Sequence, residues 1–181
     1  MANYGVIDLG SNSVRLVIFD VKDGISKKKP ITCKDFRSII NDKVMAGLSA
    51  YVEAGEFTQE GIARAVDVLS GHLKRARYFN CVRTDIFATA VLRNCTNSRK
   101  AIRAIEEAIG TPVNLLSARD EAHLSFTGAS CDRTIEKGTV VDLGGGSTEL
   151  IRVEEGRDFD DVSIGQGSLS SYAGYVEFVM P

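Results

Sequence analysis

The chain has 181 residues, of which 44% are hydrophobic and 25% charged, with a net charge of -2. That length suits one large domain or one and a half smaller ones. The near-neutral charge argues against a general nucleic-acid or membrane-surface binder, so a polyanionic ligand would have to be met by local arginines and backbone amides.

No basic stretch followed by an apolar run opens the chain, which argues against a secretory signal. No apolar segment approaches the ~18 residues that cross a bilayer. The cysteines Cys33, Cys81, Cys95 and Cys131 are scattered without a Cys-x-x-Cys pair, which suits reduced thiols in a cytoplasmic protein. His72 and His123 lack zinc-ligand spacing.

In chain order, Gly5–Leu9 and Val14–Val21 read as strands around a first Gly turn, and Lys22-Asp23-Gly24 as a second hairpin turn. A third strand is expected within Ile31–Ile40, followed by an irregular segment, Asn41–Glu56. Phe57 to Phe79 is the strongest helix, with Thr58 as N-cap and Phe57 and Ile62 at hydrophobic-staple positions. Ile62, Val66, Leu69, Leu73 and Ala76 share one face, and Lys74, Arg75 and Arg77 suit the negative helix end. Asp85–Thr89 reads as a short strand and Ser98–Ile109 as a helix stopped by Gly110 and Pro112. Val113–Leu116 reads as a strand, and Ser117 as the cap of a helix reaching about Thr127. After a polar connector, Gly128 to Lys137, strands follow at Thr139–Leu143, Thr148–Glu154 and Phe159–Ile164, and a helix starts at Ser168.

Hairpins first, with alternating strands and helices afterwards, imply a mixed sheet covered by helices in an α/β protein. The expected division is a first lobe over 1–130 and the start of a second over 131–181. Three strands with almost no covering helix leave one sheet face bare, which suggests a fragment of a longer protein.

The chain repeats a phrase. Ile7-Asp8-Leu9-Gly10-Ser11-Asn12-Ser13 returns as Val141-Asp142-Leu143-Gly144-Gly145-Gly146-Ser147. Each copy is an apolar run, an Asp, and a turn with Gly and Ser. Glycines let backbone N–H groups approach a phosphate, though a plain hairpin would also explain one copy; the repetition favours phosphate or metal-phosphate binding. Asp8 and Asp142 could each hold a hard cation or cap their own turn. Glu149 faces the same side of its strand as Ser147. In Ser117-Ala118-Arg119-Asp120-Glu121, Ser117 and Asp120 fit a capping box with Asp in the Glu position. Glu121 falls in the first helical turn, as a base acting on water or as an ordinary N-terminal acid. Arg93 could clamp a phosphate or lie at the surface.

Together these segments, with Ala88-Thr89-Ala90-Val91-Leu92-Arg93-Asn94, resemble the exopolyphosphatase and guanosine pentaphosphate phosphohydrolase family. That family lies within the actin, sugar-kinase and Hsp70-like ATPase superfamily. The resemblance spans essentially the whole chain. It implies an actin-like (ribonuclease H-like) lobe with a mixed five-stranded sheet, plus the first strands of a similar but incomplete second lobe.

It also implies Mg²⁺-assisted hydrolysis of terminal phosphoanhydride bonds in polyphosphate or guanosine pentaphosphate, in a cytoplasmic enzyme that could form a homodimer. The substrate would be a small-molecule or polymeric phosphate, with no nucleic acid or membrane involved. By resemblance, Glu121 activates water. Asn12, Ser13, Arg93, Gly144, Gly145, Gly146, Ser147 and Gln166 bind phosphate, and Asp142, Glu149 and Asp8 serve the metal. Departures at Ala118, Asp120 and His123 touch the rim of that site. Two other readings use the same scaffold: an ATP-dependent kinase or ATPase, and a polyphosphate or nucleotide sensor without catalysis.

Overall fold

The computed structural model describes residues 2–22 and 32–175. Strands β1 (Ala2–Leu9), β2 (Ser13–Val21) and β3 (Phe36–Met45) form an antiparallel meander. The expected turn at Asp23-Gly24 lies outside the described residues. β3 runs through the stretch read as irregular, and a single 3-10 turn (Leu48–Tyr51) and a two-residue ladder, β4 (Val52–Glu53) with β5 (Glu56–Phe57), follow it. Asn41–Met45 alternates in burial as a strand does, but its polar residues Asn41, Asp42 and Lys43 mask the period in sequence.

Helix α1 (Gln59–Tyr78) starts where its cap dictates: the Thr58 hydroxyl accepts from the Gly61 amide at 3.1 Å. β6 (Cys81–Ala88), a single turn α2 (Ala90–Arg93), α3 (Ser98–Ile109) and β7 (Val113–Leu115) complete the first sheet, ordered β3-β2-β1-β6-β7. β1, β6 and β7 are parallel to one another. Ile7, Leu9, Leu16, Ile18 and Ile86 from the sheet, Leu69 from α1 and Ile105 from α3 are wholly buried together. Burying each such side chain contributes about 1.5–3 kcal/mol. Because strand side chains alternate, Asp8, Arg15 and Lys43 stand on the opposite, helix-free face.

The second sheet holds β8 (Lys137–Leu143), β9 (Thr148–Glu154) and β10 (Arg157–Ile164), antiparallel throughout. Helix α4 (Ala118–Ala129) covers one face, where Ala122 and Phe126 bury against Ile151 and Val153. The other face leaves Val141, Leu143 and Val162 more than half exposed. Helix α5 (Ser168–Tyr175) follows the sheet. Among the described residues no helix is long and apolar enough to cross a membrane.

Candidate active site

The two Gly turns are built alike. β1 pairs with β2 up to Leu9 and Val14, and β8 with β9 up to Leu143 and Thr148, so each turn has four residues. In each, the first glycine closes the turn: Gly10 N–H donates to the Ser13 carbonyl at 3.2 Å and Gly144 N–H to that of Ser147 at 2.9 Å. The turns are anchored from behind through their carbonyls. Asn12 O accepts from Ala46 and Gly47, Gly144 O from Ser168, and Gly145 O from Leu169. Their tips abut. A Cβ on Gly146 would stand 2.6 Å from Ser11 Oγ, so only glycine admits this approach without moving Ser11.

Beside the abutting tips lies a cleft of about 420 Å³ between the sheets. Asp8, Asn12, Ser13, Glu121, Asp142, Gly144, Gly145, Gly146, Ser147 and Glu149 all line it. Residues some 130 positions apart in the chain therefore share one cavity. Register explains the arrangement. Asp8, Arg15 and Lys43 form one cross-strand row on the first sheet, and Asp142, Glu149 and Ser163 form the matching row on the second. The first row carries two cations, and the second carries two carboxylates.

Glu121 enters from the start of α4. Ser117 caps that helix, its hydroxyl accepting from the Asp120 amide at 3.1 Å. The Asp120 carboxylate returns to the Ser117 hydroxyl at 2.6 Å, because Asp is a methylene shorter than the Glu of a full capping box. Arg93, at the end of α2, donates to Glu121 Oε2 at 2.5 Å and to the Leu116 carbonyl at 3.3 Å. Both side chains of the pair are 17% exposed. Loss of water around Glu121 pushes its pKa up; the Arg93 hydrogen bond opposes this, and the Glu149 and Asp8 charges add to it. Oε1 of Glu121 accepts no hydrogen bond from the described residues, and Glu121 lines the cleft.

Asp8 is open to cleft water, yet the protein packed around it displaces enough solvent to raise its pKa. Arg15 pulls that pKa down, and the Asp142 charge pushes it up. Asp142 accepts from the Ser125 hydroxyl of α4. Glu149, 1% exposed, accepts from Ser163 Oγ at 2.9 Å. Among the described residues no three His, Cys, Asp or Glu side chains gather as a ready-made metal cage, so Asp8, Asp142 and Glu149 line the cleft without converging on one point.

Gln166 is not brought into the cleft. It is exposed, and its carbonyl accepts from Thr148 Oγ1 at 2.6 Å, which ties the loop after β10 to the second turn. Its neighbour Ser168 lines the cavity instead. Arg15, Lys43 and Thr89 line it as well and were not singled out from sequence. Arg15 could have been found from its place two residues after Ser13 on a strand opposite Asp8. Lys43 could not, because its segment carried no strand signal.

A model of the Ppx/GppA phosphatase family matches residues 6–172. The chain belongs to that family. A Haemophilus influenzae relative named "Putative exopolyphosphatase" is 30% identical over 151 residues, covering 80% of this chain and 42% of its own. Among solved structures, an exopolyphosphatase from Cytophaga hutchinsonii superposes with a TM-score of 0.82 at 24% identity, over 96% of this chain and 54% of its own. The Aquifex aeolicus member of the family gives 0.77 at 23% identity, over 98% and 55%. The chain thus spans about half the length of these relatives. The fold is the actin-like α/β class expected from the sequence, with a mixed five-stranded sheet and the opening strands of a second.

Proposed function

We propose that this chain carries the phosphate-cleaving cleft of a hydrolase that removes the terminal orthophosphate from inorganic polyphosphate, guanosine pentaphosphate, or both. One observation carries the reading: Glu121, Asp8, Asp142 and both Gly turns line a single cavity. Membership of a phosphatase family supports the reaction class.

The cleft lining has four carboxylates (Asp8, Glu121, Asp142 and Glu149) and two cations (Arg15 and Lys43). A phosphate chain would meet net repulsion there unless a hard divalent cation entered with it. The Asp142 charge already raises the cost of ionising Asp8, and Mg²⁺ commonly takes only one or two protein carboxylates beside phosphate and water. These residues fit that ion, and Asp8 and Asp142 would hold it. Bound there, Mg²⁺ would neutralise phosphate charge.

The remaining steps belong to the chain's own groups. The terminal phosphate sits against the amides of the two turns, with Arg15 and Lys43 facing its oxygens. Glu121, oriented by Arg93 on Oε2, accepts the proton of a water at Oε1. The water oxygen bonds to phosphorus, the bond to the bridging oxygen breaks, and that oxygen leaves on the shortened chain as an anion. Positioning and charge stabilisation dominate such a reaction, since the phosphoryl group needs little covalent help.

Orthophosphate release by the full-length protein from each substrate tests the proposal. Release that disappears in Glu121→Gln while substrate binding persists is the expected result. Tight binding of both substrates without release would favour the sensor reading, and transfer of phosphate from ATP to an acceptor would favour the kinase reading.

A further inference from the structure

The fold joins two cysteines that are 98 positions apart. Cys33 sits in a turn just before β3, and Cys131 lies two residues beyond the end of α4. Cys33 Sγ is within hydrogen-bond reach of the Cys131 carbonyl. The neighbouring Cys33 thiol is the first cause of a raised pKa at Cys131, with loss of solvent second. The turn is built around this placement: Thr32 N–H and Oγ1 donate to the Asp35 carboxylate at 2.9 and 2.7 Å, and Asp35 N–H returns to the Thr32 carbonyl. Cys131 is exposed and Cys33 half-buried, so solvent oxidants reach the pair. Cys95 is buried, with its thiol donating to the Val91 carbonyl.

We infer that Cys33 and Cys131 form an oxidisable dithiol whose disulfide clamps the two sheets together at the end remote from the cleft. Cys33 belongs to the β2–β3 side of the first sheet. Cys131 follows directly on the helix that packs on the second sheet and carries Glu121 near its start. β2 runs nine residues, about 30 Å, away from its Gly turn, and α4 runs eight residues, about 12 Å, beyond the cleft-lining Glu121. The bond would therefore restrain the opening of the cleft without touching its lining.

With hydrogen peroxide as oxidant the chemistry balances. One thiolate attacks a peroxide oxygen, the O–O bond breaks, and a sulfenic acid and hydroxide result. The second thiolate attacks the sulfenic sulfur and expels its oxygen as hydroxide. Both hydroxides leave as water with the two thiol protons, and peroxide takes up two electrons.

The test treats full-length protein with peroxide. Non-reducing digestion should yield a peptide pair joined through Cys33 and Cys131, with the intact mass lower by about 2 Da from the two lost hydrogens. Dithiothreitol should reverse both changes, and Cys33→Ser or Cys131→Ser should each abolish the pair. Recovery of the two cysteines separately alkylated, or as unlinked sulfinic acids, would overturn the inference independently of any activity. The clamp also rests on the proposed hydrolase cleft: phosphate release should slow severalfold on cross-linking, recover with dithiothreitol, and be insensitive to the same treatment in Cys33→Ser. Unchanged turnover in the cross-linked protein would overturn the clamp.

Discussion

Gly167→Ala should damage the site from outside its lining. A Cβ at Gly167 would lie 2.6 Å from the Gly144 carbonyl oxygen, 2.6 Å from the Gly145 carbonyl carbon and 2.7 Å from its oxygen. These are backbone atoms of the second Gly turn and cannot rotate aside. Relief requires the loop after β10 to lift, and with it the bonds from Ser168 N–H to Gly144 O (2.9 Å) and from Leu169 N–H to Gly145 O (3.0 Å) weaken. Overpacking of this kind costs about 1–3 kcal/mol. Two backbone hydrogen bonds are worth about 1 kcal/mol each. Because relieving one penalty incurs the other, the sum is limited to roughly 2–3 kcal/mol. For a chain of this size that lowers the melting temperature by roughly 5–10 °C. Gly146→Ala is the control. Its Cβ meets Ser11 Oγ at 2.6 Å, the free end of a side chain that can turn away, so its loss should stay below about 1 kcal/mol. Thermal unfolding of both variants, followed by circular dichroism, measures the difference. A Gly167→Ala protein that melts with wild type, or a Gly146→Ala protein that melts lower than it, would refute the reasoning.

Glu121→Gln should cut turnover by about 10²–10⁴-fold with KM nearly unchanged, since the amide keeps an acceptor for Arg93 but takes no proton. The acid side of the pH–rate profile should lie above the ordinary carboxylate range. Burial raises the Glu121 pKa, the base works only when ionised, and turnover therefore falls as pH drops through that raised value. Arg93→Ala removes the hydrogen bond that holds this pKa down, so the same limb should move to still higher pH; a shift to lower pH would contradict the assigned pair. Removing divalent cations with a chelator should stop orthophosphate release, and added Mg²⁺ should restore it in wild type but poorly in Asp142→Asn. Thr58→Ala, outside the cleft lining, should cost about 1 kcal/mol through loss of the α1 cap and leave turnover alone.

Much of the fold was legible because its signals are local. The cap at Thr58, the stop at Gly110 and the two Asp-Gly hairpins each act within a few residues, and the structure places them where the sequence did. Thr148–Glu154 coincides with β9 end to end. The misreadings fall where local signal is weak. β6 begins at Cys81, not Asp85, because Val82 and Arg83 are exposed and mixed in character, and pairing with β1 extends the strand beyond its own propensity. β3 reaches Met45 for the same reason, through its ladder with β2.

Within the site, the sequence by itself determined the chemistry available: two copies of a carboxylate beside a glycine turn, a capped helix with an acid in its first turn, and an arginine after a strand. Only tertiary structure decided which of these groups meet. Sheet register set Arg15 and Lys43 beside Asp8, turn-to-turn packing set Ser11 against Gly146, and the seating of α4 on the second sheet delivered Glu121 to Arg93 and Cys131 to Cys33. The physical reason is range. Propensities, caps and turns are energies among neighbours a few residues apart, whereas these contacts, the hairpin pair Asp8–Arg15 aside, join segments 28 to about 135 positions apart, and their geometry is fixed by how whole faces bury against one another.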